Sequence, residues 1–531
     1  MAEPLVYLRP DVIAEPLVDQ WYAWSHIIAP HTAALNIVER HLRLMASYVS
    51  APAVHAAAAR EPTMRGGPFL DYDRPRVREI QQLIDTTKRQ RSGLIELARA
   101  IKEADRLLQT RANGHSLEPL YREIPGILHG YVELVYDLNN HASLRFVEPL
   151  LYRSPFYDRS LQSLMLSRVP ADDRPFILST PRLDDDCSVH LRVPFDSSAI
   201  DVLFSMTHAP RPLEEVAEQV RPDDGSLPLF RSFFTSTPPP PYCPPKPGTI
   251  RWRYFGHACI LLETDHVAIL VDPILSYTHD RGISRYTYQD LPPRIDYVLI
   301  THNHQDHILF ETLLQIRHKL GTVVVPRSGS GSLQDPSLKH LLRKIGFTRV
   351  VEADALESID FDEGSVTSIP FFGEHGDLDI SAKCGYHVRL GEHTLMFLAD
   401  SRNVESRLYE MLHDEIGNVD VLFIGMECDG APMSWIYGPL LTNPLDWDMD
   451  QSRRLSGSGF DQGIDLVNRF QCRHLYVYAM GLEPWLNYIS RIKYTDESRP
   501  MVESTRLIET CRARGIVAER LFGEKELVLG P

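Results

Sequence analysis

Seven prolines fall within residues 236–248, STPPPPYCPPKPG. No chain carries a helix or an inner sheet strand through such a stretch, because proline lacks the backbone N–H and fixes φ. An extended, stiff linker is expected there. It divides the 531 residues into an N-terminal half, 1–235, and a C-terminal half, 249–531, each long enough to bury its own core.

The two halves differ in texture. Before the linker, WYAWSHIIAPHTAALNIVERHLRLMASYV and VREIQQLIDTTKRQRSGLIELARAIKEADRLLQT repeat apolar residues every three or four positions, so a mostly helical α+β domain is expected. SVHLRVPF (188–195) and AIDVLFSM (199–206) read as a strand pair joined through Asp196, Ser197 and Ser198. The run Asp184-Asp185-Asp186 reads as a solvated turn. The formal net charge of −16 argues against nucleic-acid binding, since an acidic chain repels phosphate. The N-terminus has no basic region ahead of an apolar one, and no stretch nears the roughly 18 apolar residues of a membrane span, so a cytoplasmic protein is expected. Its seven cysteines are scattered without CxxC spacing, which points to reduced and mostly buried thiols.

After the linker, short strands rich in Val, Ile and Tyr run first as hairpins and then alternate with helices such as ILFETLLQIRHKL and ESRLYEMLHDEI. Two mixed sheets covered by helices are the expected arrangement. The strand YVLIT ends at Thr301, and THNHQDH (301–307) follows it with three histidines and an aspartate in seven positions. That exceeds what stability requires. Loops at strand ends are where a sheet fixes the backbone and lets side chains converge. In extended backbone His302 and His304 point the same way and can grip one metal, while Asp306 and His307 turn toward a second. HTLMFLADS brings Asp400 to the end of another apolar strand, where a buried carboxylate needs a charge partner.

HxHxDH after a buried strand, preceded by GHACILLETDHVAILVDP with its strand-ending Asp272, resembles the metallo-β-lactamase superfamily. The resemblance covers about residues 249–531 and implies an α/β fold, the αββα sandwich, with a dinuclear metal site. Hydrolases of that superfamily add a third-motif histidine, a bridging aspartate and a fifth-motif histidine. Here Asp400 fits the bridge, but the third motif reads FFGEHGDLD, where Glu374 or His375 takes the position. The fifth motif has no histidine near Met480 or Gly481; His474 starts that strand, about 20 Å away at 3.3 Å per residue.

An oxygen-rich site with open positions moves metal preference from zinc toward iron or manganese. Together with the proline-linked N-terminal half, the site resembles the diiron amino acid β-hydroxylases of chloramphenicol biosynthesis and related antibiotic pathways. That resemblance implies an O2-dependent non-haem diiron monooxygenase. It acts on the β-carbon of an amino acid held as a thioester on a nonribosomal peptide synthetase carrier domain, and draws on an external electron donor. It further implies that His302, His304 and Glu374 bind one iron, Asp306 and His307 the other, and that Asp400 bridges, with Glu374 and Asp400 the catalytic carboxylates. The N-terminal half would form a homodimer or dock the carrier. The competing class is a dinuclear zinc hydrolase, such as a lactonase or phosphodiesterase. His257 and Asp272 are candidates to orient the ligand loop, residues 425–444 to wall the pocket, and Arg74, Arg76, Arg78, Lys88, Arg89 and Arg91 to meet an acidic carrier.

Overall fold

The computed structural model describes residues 4–61, 64, 66–279, 282–329, 331–491 and 493–530. The C-terminal half builds two seven-stranded sheets face to face. In the first, the strands Ala268–Val271, Ile295–Leu299, Leu320–Pro326 and Val350–Ala353 run parallel, and a meander of Cys259–Glu263, Ile250–Gly256 and Lys525–Leu529 completes the other edge. The second sheet begins as an antiparallel meander from Ser358–Phe361 to His393–Phe397. It then turns parallel through Val421–Gly425, His474–Tyr478 and Val517–Arg520.

Between the sheets pack the side chains that alternate inward, among them Trp252, Ile260, Leu262, Phe397, Phe423 and Tyr476. Helices Ser406–Ile416, Phe460–Phe470 and Arg499–Ala513 cover the second sheet's outer face. This is the expected αββα sandwich.

The N-terminal half holds more sheet than its periodicity suggests. A four-stranded sheet runs Trp21–Tyr22, Val12–Val18, Gln162–Arg168, Ser188–Leu191, and a hairpin joins Val132–Tyr136 to Ala142–Phe146. The expected strand pair at 188–206 is corrected. Only Ser188–Leu191 is a strand, paired with Gln162–Arg168, and Ser198–Ser205 is a helix. The Ser197 hydroxyl caps it by accepting from the Ala199 N–H, and Ala199, Ile200, Leu203 and Phe204 form its buried face at helical spacing.

The halves do not bury separate cores. Helix Phe310–Ile316, wholly buried and directly after the metal-binding loop, packs with the first sheet's outer face into one cluster that also contains Trp21, Phe195, Leu203 and Phe233. The proline-rich segment has no helix or strand, yet it is tied down: Tyr242 donates to Glu263 at 2.5 Å and Arg251 donates to the Cys243 carbonyl at 2.8 Å. Among the described residues no helix is long and apolar enough to cross a membrane. Five of the seven cysteines are buried and all are free.

A buried ion cluster spans the same interface. Arg182 grips Glu15 with two bonds of 2.9 Å, and Arg174 reaches both Glu15 at 3.0 Å and Glu311 at 3.1 Å. Tyr22 and Tyr277 add hydroxyl donors to Glu311 at 2.6 and 2.7 Å. Removing one partner strands a desolvated charge, which costs about 3–5 kcal/mol. Arg182→Met is therefore expected to lower the urea midpoint markedly, and Arg182→Met with Glu15→Met to recover most of the loss. An unchanged midpoint in the single variant contradicts this account.

Candidate metal centre

The chain reverses or leaves its strands under strain all around one edge of the sandwich. His257, Asp272, Glu374, Ala399 and Ala479 each adopt positive φ, a conformation that L side chains rarely occupy. These residues flank the points where THNHQDH, the third-motif loop and Asp400 converge. Gly425 lies there for a steric reason: a Cβ would come 2.5 Å from the Ala399 carbonyl oxygen and 2.7 Å from Asp400 Oδ1.

The imidazoles are aimed by bonds to their far nitrogens. Asp272 accepts from the Thr301 N–H at 2.8 Å, from the Thr301 hydroxyl at 2.6 Å and from His307 Nδ1 at 2.8 Å, leaving His307 Nε2 facing Asp400 Oδ2 at 3.1 Å. Because the Thr301 proton goes to Asp272, its oxygen accepts from His302 Nδ1 at 3.0 Å, and His302 Nε2 is left with a lone pair. It lies 4.0 Å from Glu374 Oε2 and 3.9 Å from Asp400 Oδ2. His304 Nε2 meets the Tyr437 hydroxyl at 3.0 Å, which turns its Nδ1 onto Glu374 Oε1 at 2.6 Å.

His257 occupies the corner that a fifth-motif histidine would fill. Its Nδ1 accepts from the Gly481 N–H at 3.1 Å, which leaves the Nε2 N–H facing Asp306 Oδ2 at 3.3 Å. It is thus arranged to orient Asp306, as Asp272 orients His307. His474 lies at the far end of its strand, where its backbone N–H donates to the Asp420 carbonyl and its ring stacks on Tyr476.

The electrostatics call for a cation. Burial pushes the Asp400 carboxyl up and, with the like charges of Glu374 and Asp306, outweighs the opposing pull of His307. Burial works against the Glu374 carboxylate too, but His304 and His375 outweigh it and hold the group well below its usual range. His302 Nε2 and Asp400 Oδ1 are buried with no hydrogen-bond partner among the described residues, and Glu374 Oε2 lies 2.7 Å from His375 Nδ1 without hydrogen-bonding alignment. Three orphaned ligand atoms converging between histidines and carboxylates fit a pair of metal ions and little else.

Every site residue expected from the sequence is brought to this edge. At the third motif Glu374 reaches His304 at 2.6 Å and faces His302 at 4.0 Å, whereas the His375 ring stacks on that of His304, centroids 4.6 Å apart, and its Nδ1 meets Glu374 Oε2 at 2.7 Å. Two contributors were not legible. Ser25, from the N-terminal half, donates to Asn303 inside the metal loop at 2.5 Å. Glu427, in the segment expected to wall the pocket, accepts from the Tyr494 hydroxyl at 2.7 Å, and burial followed by Asp400, Asp306 and Glu374 raises its carboxyl strongly. Of the six basic residues at 74–91, Arg76 is spent on Glu79 and the Asp184 carbonyl, and Arg91 is buried beside Asp19, so four remain exposed. Those four are Arg74, Arg78, Lys88 and Arg89.

Fold and site together define a metallo-β-lactamase-type dinuclear metal protein with an added N-terminal half. Residues 268–446 match the model of the β-lactamase superfamily domain, and residues 7–238 match that of the diiron non-haem β-hydroxylase N-terminal domain. The chain is 42% identical over 530 residues to the 4-amino-L-phenylalanyl-[CmlP-peptidyl-carrier-protein] 3-hydroxylase of Streptomyces venezuelae, spanning 98% of this chain and 99% of that protein. The crystal structure of CmlA, a diiron β-hydroxylase from Streptomyces venezuelae, superposes with a TM-score of 0.93 at 40% identity, covering 99% of this chain and all of that one. A UPF0173 protein of Pyrococcus abyssi is 30% identical over 240 residues, 44% of this chain and 96% of that protein. The chain belongs to the diiron non-haem β-hydroxylase family and is a hydroxylase, not a zinc hydrolase.

The third-motif geometry carries a direct test. Glu374→Ala is expected to abolish hydroxylation and alter the iron spectrum, because it removes an oxygen that faces two histidines. His375→Ala should leave the spectrum largely intact. The reverse pattern would assign the ligand to His375.

Proposed function

We propose that this protein hydroxylates the β-carbon of an amino acid carried as a thioester on a nonribosomal peptide synthetase carrier domain, as its 42%-identical relative is named for doing. The observation that carries the reading is the orphaned set of His302, Glu374 and Asp400 atoms at the sheet edge, in a chain similar end to end to that relative. His302, His304 and Glu374 would hold one iron, Asp306 and His307 the other, and Asp400 would bridge them. When bound, the two irons supply the oxidising power drawn from O2.

The chain's own residues do the rest. Asp272, Thr301, Tyr437 and His257 hold the ligands in one tautomer and orientation before metal arrives. Glu427, paired with Tyr494 and within the field of the Asp400, Asp306 and Glu374 carboxylates, is placed to hold a proton beside them. Insertion of one oxygen atom while the other leaves as water consumes two electrons. An external electron donor protein is assigned that role. Carrier thioesters are made where ATP is available, which puts the enzyme in the cytoplasm; we further assign it a homodimer formed through residues 1–235.

The experiment is a screen of aminoacylated carrier domains, incubated with reduced protein and O2, for a gain of one oxygen atom by mass spectrometry. A gain that needs both O2 and the reductant supports the reading. Hydrolysis of the thioester without oxygen incorporation would overturn it.

A further inference from the structure

A groove of about 1150 Å³ crosses the N-terminal half. Its floor is the pair of strands Val12–Val18 and Gln162–Arg168, through Ile13, Met165 and Ser167. Its wall is made by residues 71–76 and 180–188, tied together by three bonds: the Asp71 N–H to the Thr180 hydroxyl at 3.0 Å, the Tyr72 hydroxyl to the Pro181 carbonyl at 2.8 Å, and the Arg76 guanidinium to the Asp184 carbonyl at 2.8 Å.

The two ends of the groove differ. At the inner end Arg491 donates to Asp71 at 2.8 Å, to Asp173 at 3.1 Å and to the Arg174 carbonyl at 3.1 Å. Its side chain and the Trp435 indole both close on Gly66, where a Cβ would come 2.6 Å from Trp435 Cζ3 and 3.5 Å from Arg491 Cβ. Two residues beyond Trp435 stands Tyr437, bonded to His304, and three beyond Arg491 stands Tyr494, bonded to Glu427. Arg40 holds the Trp435 and Ile436 carbonyls and Lys102 the Leu441 carbonyl, so the N-terminal half fixes the segment that leads from the groove to the metal ligands. At the outer end Arg60 and Arg74 stand exposed on the rim and enter no ion pair among the described residues. The rim continues into helix Val77–Gln90, with its exposed Arg78 and Arg89.

Between the ends the lining suits a neutral, polar chain. Arg174 and Arg182 on the floor are spent on Glu15 and Glu311. Ser188 lines the groove at 8% exposure, and its hydroxyl has no hydrogen-bond partner among the described residues, a state that native proteins seldom leave unsatisfied. Exposed Asp73, Asp185 and Asp186 also border the groove and repel phosphate, which confines an anionic group to the two arginines.

We propose that this groove seats the phosphopantetheine arm of the carrier domain, with the phosphodiester at Arg60 and Arg74, an amide at Ser188, and the thioester end directed past Arg491 and Trp435 toward the metals. This rests on the function proposed above and adds where the partner's arm lies. The order of groups along such an arm, an anion, then two amides beside a geminal dimethyl group, then the thioester, follows the order of the lining from rim to inner end.

Cys187 makes the proposal testable, since it is exposed and lines the groove, whereas Cys243, the other exposed thiol, lies in the proline-rich segment and serves as reference. The probe is the carrier domain that gains oxygen in the screen above, prepared with an acetyl-phosphopantetheine arm and, separately, in the apo form without it. Full-length, iron-loaded protein is alkylated with iodoacetamide without reductant, so that nothing turns over. With the acetylated carrier at about ten times its Kd, alkylation of Cys187 should slow about tenfold while Cys243 reacts as before; the apo form should leave both rates unchanged. Arg60→Glu/Arg74→Glu should lose the protection and raise KM for the loaded carrier about tenfold, with kcat, iron content and visible spectrum kept. Cys187 alkylated at its free rate beside saturating acetylated carrier, equal protection by the apo form, or an unchanged KM in the double variant overturns the proposal. If no loaded carrier gains oxygen from the unaltered protein, the proposed function fails first and takes this placement with it.

Discussion

His304→Ala and Asp306→Ala are expected to purify with less than the two irons per chain of the parent and to lose turnover by at least about a hundredfold, on the scale that even outer partners of a metal site reach. On the proposed assignment each change removes a metal ligand and also strands another group. Without His304, the Glu374 carboxylate loses its 2.6 Å neighbour and Tyr437 loses its acceptor or donor partner. Without Asp306, the His257 proton on Nε2 faces no carboxylate, although Gly481 still holds the ring in place. Iron loss and activity loss should therefore run together across the series, checked by metal analysis beside the near-ultraviolet absorption of the diferric protein. Thr301→Val should show a milder version, since it frees His302 and removes one of the bonds that fix Asp272. Stoichiometric zinc in active protein, with turnover indifferent to O2, would sink the diiron assignment for this chain.

The second large effect concerns the form of the substrate. A free amino acid offers neither the pantetheine arm nor the carrier surface, so none of their binding energy is available to place its β-carbon beside the metals. Under single turnover the carrier-loaded thioester should react at least about a hundredfold faster than the free amino acid. Comparable rates would refute carrier dependence. The docking face can be tested in the same assay. Arg76 and Arg91 are committed to internal partners, so the reversal to make is Arg78→Glu/Arg89→Glu on the exposed side of helix Val77–Gln90. Encounter with an acidic carrier would then slow and lose its salt dependence, while the rate at saturating carrier holds. An unchanged kcat/KM removes this stretch as the docking face.

The metal loop was legible because its information is local. Three histidines and an aspartate within seven positions, at the end of an apolar strand, fix their own relative directions through backbone geometry alone. Asp400 was legible for the same reason, as a charge at the end of HTLMFL that no core would hold unpaired. Two orders of strand connection, hairpins first and alternation later, were enough for the paired sheets.

Other features needed the folded chain. The stretch 199–206 is apolar enough to suit strand or helix; only the Ser197 cap and the packing of Leu203 and Phe204 into the shared core decide for a helix. Glu374 and His375 are neighbours in sequence, and only the folded loop, with Glu374 at positive φ, sets its carboxylate on His304 Nδ1 while the His375 ring stacks against the same imidazole. Ser25 and His26 have no motif, because each gains its contacts only from residues more than a hundred positions away. Sequence by itself determined the histidine-rich loop, the strand-ending Asp400 and the αββα layering, since periodicity and ligand spacing act over a few residues. Tertiary structure alone decided that the N-terminal half shares the core and walls the site, because burial and hydrogen-bond satisfaction are properties of the packed whole.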